Sequence, residues 1–252
     1  MKTTESSETC DTILGGRIRV IQPREGYRFS VDSILLARFV SVHPCDRVLE
    51  LGAGSGVVSL AIAALHQPRE IVAIEIQPEL VAMIVRGAQL NGFRSLLAVE
   101  ADLRKIKHAK VPVNGFDVVV ANPPYRKQNS GRESPNENRR VARSETTSTL
   151  EDFVAAAARH ARGGGRAAFV FVADRFAELI SVARAHRLEP KRIRFVHPYK
   201  NAPATTVLLE ARKGGGVEVC VEPPLILYDG PRVYSKEARN LLEEVVSPIT
   251  AK

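Results

Sequence analysis

Residues 47–66 read RVLELGAGSGVVSLAIAALH, and the fold of the chain follows from this stretch. The run Arg47–Leu51 has the length and apolar content of a buried strand, and Val57–His66 has those of a helix. Between them, glycine occupies every second position: Gly52, Gly54 and Gly56. A strand that enters a helix through a tight glycine turn is typical of a βα unit, which builds a parallel sheet.

The same alternation of short β-branched runs and longer helical patterns continues along the chain. Further strands are predicted at Glu70–Glu75, Leu96–Ala101, Phe116–Ala121, Ala167–Ala173, Arg192–Val196 and Thr205–Ala211. Helices are predicted at Pro78–Asn91, at Leu150–Arg162, where Gly163–Gly165 ends the helix, and at Phe176–His186. No helix separates the last two strands, which favours an antiparallel hairpin. The pattern predicts an α/β fold with a seven-stranded, mostly parallel sheet and helices on both faces.

Shorter segments flank this core. We expect a strand at Arg17–Ile21, a helix at Val31–Val40 with Ser30 as its cap, an extended stretch at Val217–Tyr228 and a helix at Lys236–Val246. The predicted division is an N-terminal strand and helix over 1–45, a core over 46–213 and an extension over 214–252. The three parts are expected to form one compact domain.

Composition limits the class of protein. Hydrophobic residues make up 44% and charged residues 25%, which are ordinary values for a globular chain. The apolar runs are far shorter than the roughly 20 residues of a membrane span, and no secretory signal is recognisable, so a cytoplasmic protein without a membrane partner is expected. The net charge of +8 suggests an anionic partner. Three widely spaced cysteines indicate reduced thiols: Cys10, Cys45 and Cys220.

Acidic residues lie in or just after the first three core strands. Glu50 precedes the glycine turn, Glu75 ends the second strand, and Asp102 follows the third. Ligands of open α/β sheets bind at the carboxyl ends of the strands, so these acids are expected at one ligand site. Glu75 is suited to accept hydrogen bonds from both hydroxyls of a ribose, and Asp102 to accept one from an adenine amino group.

Asn122-Pro123-Pro124-Tyr125 directly follows the fourth strand and indicates the chemistry. An exocyclic amino nitrogen is a poor nucleophile because its lone pair is delocalised. The side-chain oxygen of Asn122 and the carbonyl of Pro123 are placed to accept both amino hydrogens, which returns the lone pair to nitrogen. The prolines stiffen the turn, and Tyr125 offers an aromatic face to a planar group.

In this order, the glycine turn, the three acids and Asn122–Tyr125 resemble the Rossmann-like class I S-adenosylmethionine-dependent methyltransferases that act on planar nitrogen. Residues 22–37, QPREGYRFSVDSILLA, closely resemble the opening of the bacterial tRNA(Val) adenine-N6 methyltransferase family. The similarity extends over residues 13–245. It implies methylation of the adenine beside the anticodon, at position 37, with S-adenosylmethionine as cofactor and S-adenosylhomocysteine as product.

The resemblance also assigns roles to residues. It implies that the glycine turn and the first acid hold the methionine half of the cofactor, with Gly52, Gly54, Gly56 and Glu50. It implies that Glu75 binds the ribose and that Asp102 binds the cofactor adenine. It also implies that Arg28 and Ser30 lie near the cofactor carboxylate. Asn122, Pro123, Pro124 and Tyr125 are the implied catalytic residues.

A long segment after Tyr125 is strongly basic. Between residues 126 and 143 there are two acids and six basic residues: Arg126, Lys127, Arg132, Arg139, Arg140 and Arg143. Because the segment begins at the catalytic turn, we expect it to contact RNA phosphates, with Lys191, Arg192, Arg194 and Lys200 extending the surface. A solvated loop without a partner is the alternative. No obligate protein partner is evident.

Other functions stay open at this point. The same chemistry serves methyltransferases of ribosomal RNA, of DNA bases and of protein glutamine N5. A nicotinamide dehydrogenase also uses a glycine loop and an acid, but the glycine spacing here differs, and that function leaves Asn122–Tyr125 unexplained. A catalytically inactive RNA-binding relative is a further alternative. The six histidines lack metal-ligand spacing, so no metal is expected.

Overall fold

A computed structural model describes residues 7–25, 28–125 and 148–243. Its strands are β1 (Glu8–Ile13), β2 (Ile18–Pro23), β3 (Arg47–Leu51), β4 (Glu70–Glu75), β5 (Leu96–Glu100), β6 (Phe116–Ala121), β7 (Ala161–Val172), β8 (Leu188–His197), β9 (Thr206–Lys213), β10 (Cys220–Val221), β11 (Leu225–Ile226), β12 (Tyr228–Gly230) and β13 (Val233–Tyr234). Its helices are α1 (Val31–Phe39), α2 (Val57–His66), α3 (Pro78–Leu90), α4 (Leu150–His160), α5 (Phe176–Ala185) and α6 (Lys236–Glu243).

The central sheet has the strand order β10–β8–β9–β7–β6–β3–β4–β5, and β11 also pairs with β8. β3 to β7 run parallel, whereas β9 is antiparallel to both of its neighbours, β7 and β8. The predicted α/β fold with a mostly parallel sheet and an antiparallel C-terminal pair is confirmed. The two-residue strands β10 and β11 extend the seven predicted strands to nine.

The register of the inner strands brings their carboxyl ends to one level. Leu51 of β3 lies opposite Ile74 of β4 on one side and Ala121 of β6 on the other. In the next pair, Glu75 lies opposite Glu100. The residues that follow these strands therefore emerge together along one edge of the sheet.

Both faces of the sheet are covered by helices. In β6, Val119 and Ala121 point to a core shared with α4 and α5, while Val118 and Val120 point to a core shared with α1 and α2. Successive residues of a strand face opposite sides, so a strand that is buried on both sides is apolar at every position. No helix in the described part of the chain has the length and apolar character needed to cross a membrane.

Three predicted boundaries are wrong, and sheet pairing explains them. β8 begins at Leu188 rather than at Arg192, because Leu188 already pairs with Lys213 of β9. The helix predicted to reach Arg162 ends at His160, because Ala161 already pairs with Phe116 of β6. The strand predicted from Ala167 therefore begins at Ala161. Gly163–Gly165 does not end a helix, since it lies within β7 where the register shifts against β6.

The N-terminal segment forms a hairpin that was only half predicted. β2 matches the expected strand approximately, and β1, whose sequence ETCDTI lacks a clear apolar alternation, pairs with it antiparallel. Ser30 occupies the N-cap position of α1 as expected, but its hydroxyl makes no capping hydrogen bond and donates to Asp32 instead.

The extension packs against the outer edge of the sheet through basic residues of β8. Its ion pairs are Lys191 with Glu218, Arg192 with Glu222, and Arg194 with Glu237. Arg192 also lies over the ring of Phe39, 4.5 Å from its centroid. Three of the four basic residues expected to extend an RNA surface therefore join the extension to the sheet, and Lys200 is exposed.

Glu210 of β9 is a buried carboxylate that connects the sheet to the end of α1. It is 5% exposed and accepts hydrogen bonds from the backbone N–H of Ser41 at 2.7 Å and from the Ser41 hydroxyl at 3.2 Å. The guanidinium of Arg192 lies 3.5 Å away. Removal of this carboxylate leaves the half-buried N–H of Ser41 without its acceptor.

We expect Glu210→Ala to lower the free energy of unfolding by about 1–3 kcal/mol, because a donor shielded from water loses its acceptor. Urea denaturation measures this quantity. The matched control is Glu218→Ala, because Glu218 is 88% exposed and its ion pair with Lys191 spans 3.7 Å. The control should change stability by no more than about 0.5 kcal/mol. Equal losses in the two variants contradict a structural role for Glu210.

Candidate active site

The glycine turn after β3 has a left-handed backbone at its three glycines, where φ is +65° at Gly52, +57° at Gly54 and +79° at Gly56. A Cβ on Gly52 would lie 2.9 Å from the ring of Phe153, so packing requires glycine there. A Cβ on Gly54 would meet no atom of the described residues within 4 Å. Among these residues the backbone at Gly54 borders open space, which a ligand can approach closely.

Glu75 holds this turn in place. One of its carboxylate oxygens accepts the Gly54 N–H at 2.8 Å, and the other accepts the N–H groups of Ile76 at 2.9 Å and Gln77 at 3.1 Å. The side chain is only 5% exposed. The acid predicted to bind a ribose thus also fixes the loop beside which that ribose would lie.

Glu50 is the most deeply buried acid of the site. It is 2% exposed, and one carboxylate oxygen accepts both the backbone N–H of Ser59, at 2.9 Å, and the Ser59 hydroxyl. Burial raises the pKa of Glu50 to about 8, and the carboxylate of Glu75 adds to this rise, while the bonds from Ser59 oppose it. A cation placed nearby would favour the ionised form.

Asp102 lies two residues beyond the level of Glu75 and already has a partner. Its carboxylate accepts the backbone N–H of Arg104 at 3.0 Å and binds the guanidinium of the same residue at 2.6 to 3.1 Å. These hydrogen bonds lower the pKa of Asp102. Sequence reasoning missed Arg104, although a basic residue two positions after an acid was a visible signal.

Asn122 emerges beside the glycine turn. Ala121 lies opposite Leu51, so Asn122 and Gly52 leave the sheet at the same level from two neighbouring strands. The amide oxygen of Asn122 accepts a hydrogen bond from the Tyr125 hydroxyl at 2.8 Å, and the amide nitrogen donates to the Ser33 hydroxyl at 3.3 Å. These two bonds fix which way the amide is turned.

Tyr125 is held at both of its ends. Its ring meets the ring of Phe171 edge-on, with centroids 5.9 Å apart, and its carbonyl accepts a hydrogen bond from Arg175 at 3.0 Å. Arg175 in turn lies over the ring of Phe171, 4.8 Å from the centroid, and pairs with Glu178. The turn from Asn122 to Tyr125 is thus fastened to the segment that follows β7.

Asp32 is a site residue that sequence reasoning missed. Its carboxylate lies within hydrogen-bond distance of three hydroxyls: Ser30 at 2.8 Å, Tyr125 at 3.3 Å and Thr206 at 3.3 Å. It joins the first turn of α1, the turn after β6 and the start of β9. Its place in residues 22–37 is the only sequence signal, and that segment predicts Arg28 and Ser30 as the site residues instead.

The remaining predicted residues are placed as follows. The guanidinium of Arg28 is directed to β1, where it binds Asp11 at 2.8 Å and Thr9 at 3.2 Å. Pro123 is buried and Pro124 is exposed. The six basic residues predicted to bind RNA lie outside the described residues: Arg126, Lys127, Arg132, Arg139, Arg140 and Arg143. Within the described ranges, no group of three His, Cys, Asp or Glu residues is arranged to hold a metal ion.

Comparison with known proteins places this geometry in a family. The chain is 28% identical over 221 residues, 86% of its length and 90% of the relative's, to the tRNA1(Val) (adenine(37)-N6)-methyltransferase of Haemophilus influenzae. This relative confirms the resemblance seen in the sequence.

Solved structures show the same fold. A predicted O-methyltransferase of Agrobacterium tumefaciens has a TM-score of 0.68 at 24% identity, covering 83% of this chain and 94% of that one. The TYW2 protein of M. jannaschii, solved in complex with AdoMet, has a TM-score of 0.56 at 15% identity, covering 84% and 88%. The predicted class I methyltransferase fold is confirmed.

The sequence model of the methyltransferase small domain matches residues 28–186, which include α1, the glycine turn, the three acids and Asn122–Tyr125. This match extends over more than half of the chain. The chain therefore belongs to the methyltransferase small domain family.

Proposed function

We propose that this methyltransferase uses S-adenosylmethionine to methylate the exocyclic N6 of an adenine in tRNA, namely adenine 37 of tRNA(Val). The observation that carries the proposal is the place of Asn122. Its amide is oriented by Tyr125 and Ser33, and it follows Ala121, which lies opposite the last strand residue before the glycine turn. The name of the Haemophilus influenzae relative supports the choice of tRNA adenine as the substrate.

The residues at the sheet edge fit the cofactor. Open space in front of Gly54 leaves room for a ligand against the backbone, and Glu50 is a buried carboxylate suited to a cationic group. In this proposal Glu50 and the glycine turn hold the methionine half, Glu75 the ribose and Asp102 the adenine. When bound, S-adenosylmethionine supplies an electrophilic methyl group.

Asn122 prepares the nucleophile. Its amide oxygen has two lone pairs, of which one accepts the Tyr125 hydroxyl and the other is left for an amino hydrogen of adenine. The Pro123 carbonyl is the second acceptor. Because both acceptors belong to a stiff turn, no reorganisation is needed as positive charge develops on the nitrogen. The proton lost after methylation passes to solvent.

Asp32 positions Tyr125 during this step. A tyrosine hydroxyl carries one proton, and here two acceptors lie within its reach, Asn122 at 2.8 Å and Asp32 at 3.3 Å. When the adenine amino group donates to Asn122, the hydroxyl can turn its proton toward Asp32. Asn122 then offers its full acceptor strength to the substrate.

Gly54→Arg should weaken S-adenosylmethionine binding at least tenfold, about 1.4 kcal/mol, because the side chain fills the space in front of the turn. Titration calorimetry measures the affinity. The matched control is Gly214→Arg: Gly214 has a similar φ of +68° and open space, but it lies at the far end of β9. Equal affinity in the two folded variants contradicts a cofactor site at Gly54.

Glu50 should release about one proton when the cofactor binds at pH 7. A group with a pKa of about 8 is mostly protonated in the free protein, and a cationic ligand favours the carboxylate. Binding enthalpies in buffers of different ionisation enthalpy give the number of protons released. The number of protons released should fall toward zero at pH 9, and Glu50→Gln should release none from this position. Equal proton release by the wild type and Glu50→Gln contradicts a role of Glu50 in binding the cofactor.

The same pKa shift affects stability with a defined sign. The folded protein keeps the Glu50 proton between pH 4.5 and 8, whereas the unfolded chain has released it. The contribution of Glu50 to the free energy of unfolding is therefore largest below pH 4.5 and is lost as the pH rises through 8. Comparison of urea denaturation of the wild type and Glu50→Gln across this range isolates the effect.

Asn122→Ala should slow methyl transfer on the order of 10²- to 10³-fold, as expected for the loss of one preorganised hydrogen-bonding group. The assay uses unmodified tRNA(Val) and mass spectrometry of nucleosides to detect N6-methyladenosine at position 37. Cofactor affinity should stay near that of the wild type, since the side chain of Asn122 is bonded to Tyr125 and Ser33.

The wild-type protein also decides between substrates in this assay. Ribosomal RNA, DNA and a glutamine-containing peptide serve as competing acceptors. Methylation of one of these acceptors in place of tRNA overturns the proposed substrate. The role of Asn122 is then tested by comparing the wild type and Asn122→Ala on that acceptor. Turnover of Asn122→Ala within a few-fold of the wild type on the true substrate contradicts that role.

A further inference from the structure

Three tyrosines form a row at one end of the sheet. The rings of Tyr228 and Tyr234 stack with centroids 5.0 Å apart and an angle of 20°. The ring of Tyr199 is tilted by 42° against that of Tyr228, with centroids 5.8 Å apart. Tyr228 and Tyr234 are half-buried against the apolar core beneath them. Tyr199 is the outermost ring, with 44% of the residue exposed.

The row lies at the same edge of the sheet as the active site. Tyr199 follows the carboxyl end of β8, and the N–H of Tyr228 donates to the carbonyl of Pro198 just beyond that strand. Because β7 and β9 lie between β6 and β8, Tyr199 is three strand spacings from Asn122, about 14 Å sideways. This distance is too great for Tyr199 to receive the target adenine itself.

The surroundings of the row are mainly basic. Lys200 directly follows Tyr199, Arg232 lies in the turn between β12 and β13, and Lys236 begins α6, and all three are exposed. The exposed acids beside them are Asp229 and Glu237, and Glu237 is paired with Arg194. An aromatic ring with cations beside it is the arrangement with which proteins bind unpaired nucleotides, because every base has a stacking face and every phosphate a charge.

We propose that Tyr199, which packs against Tyr228 and through it against Tyr234, stacks on an unpaired base of the RNA. This base lies near the target adenine in the same loop. Sequence-specific RNA recognition relies on such single-stranded bases, and an anticodon loop offers several of them. The inference rests on the proposed function, since it takes RNA as the substrate. It adds a second contact that fixes which adenine reaches Asn122.

Packing alone accounts for two of the three rings. Tyr228 and Tyr234 fasten the extension to the sheet, so their replacement is expected to affect folding. Tyr199 lies in a loop with 44% of the residue exposed, and its replacement is expected to change stability little. Tyr199 is therefore the residue at which a binding role and a structural role can be separated.

The test compares Tyr199→Ala with the wild type for direct binding to a tRNA(Val) anticodon stem-loop transcript, measured by filter binding with S-adenosylhomocysteine present. Loss of one stacking partner should weaken binding roughly 5- to 150-fold. Tyr199→Phe keeps the ring and should bind within about threefold of the wild type. Val219→Ala is the matched control, since Val219 lies in the extension and is also 44% exposed.

A modified transcript identifies the stacked base. When that nucleotide is replaced by an abasic one, the wild type should bind as weakly as Tyr199→Ala, and the variant should lose nothing more. A loss in Tyr199→Ala that no abasic position reproduces overturns base stacking. Equal loss in Val219→Ala, or in Tyr199→Phe, overturns it as well.

The outcome also separates this proposal from the proposed function. If the wild type methylates tRNA and Tyr199→Ala binds the transcript equally well, the tyrosine contact is wrong and the methylation stands. If the wild type neither binds nor methylates RNA, both proposals fail. If the wild type methylates tRNA, and Tyr199→Ala binds the transcript more weakly while Tyr199→Phe and Val219→Ala do not, both proposals are supported.

Discussion

The backbone pairing of β3 with β4 and β6 is the constraint on which the whole edge of the sheet depends. Leu51 lies opposite both Ile74 and Ala121, so the glycine turn, Glu75 and Asn122 emerge at one level. A shift of one residue in either pair would exchange the two faces of a strand. It would also move Glu75 or Asn122 out of line with the glycine turn.

Around this edge, acidic side chains bind the backbone and hydroxyl groups of neighbouring segments. Glu75 accepts the N–H of Gly54, and Asp32 connects α1 to the turn after β6 and to β9. Each carboxylate holds a segment whose position the site requires. Both acids thus keep the site assembled, which is the condition for preorganised catalysis, and Glu75 is also the acid proposed to bind the ribose.

How far the sequence predicts this molecule depends on the range of the interactions. The inner strands and α2 follow from local apolar patterns, and Glu50, Glu75 and Asn122 were found because each adjoins such a strand. The end of α4 and the start of β7 were wrong, because pairing of Ala161 with Phe116 overrides local helix preference. A polar strand such as β1 has no pattern of its own and exists through its pairing with β2.

The sequence by itself determined the order of strands and helices, the glycine turn, and the acids and amide that follow the strands, because these features depend on neighbours in the chain. Only the tertiary structure showed the position of Asp32 between Tyr125 and Thr206, the pairing of Arg192 with the extension, and the row of three tyrosines. These contacts join residues up to 174 positions apart. No local pattern encodes them, since they exist only when the folded sheet brings its distant strands side by side.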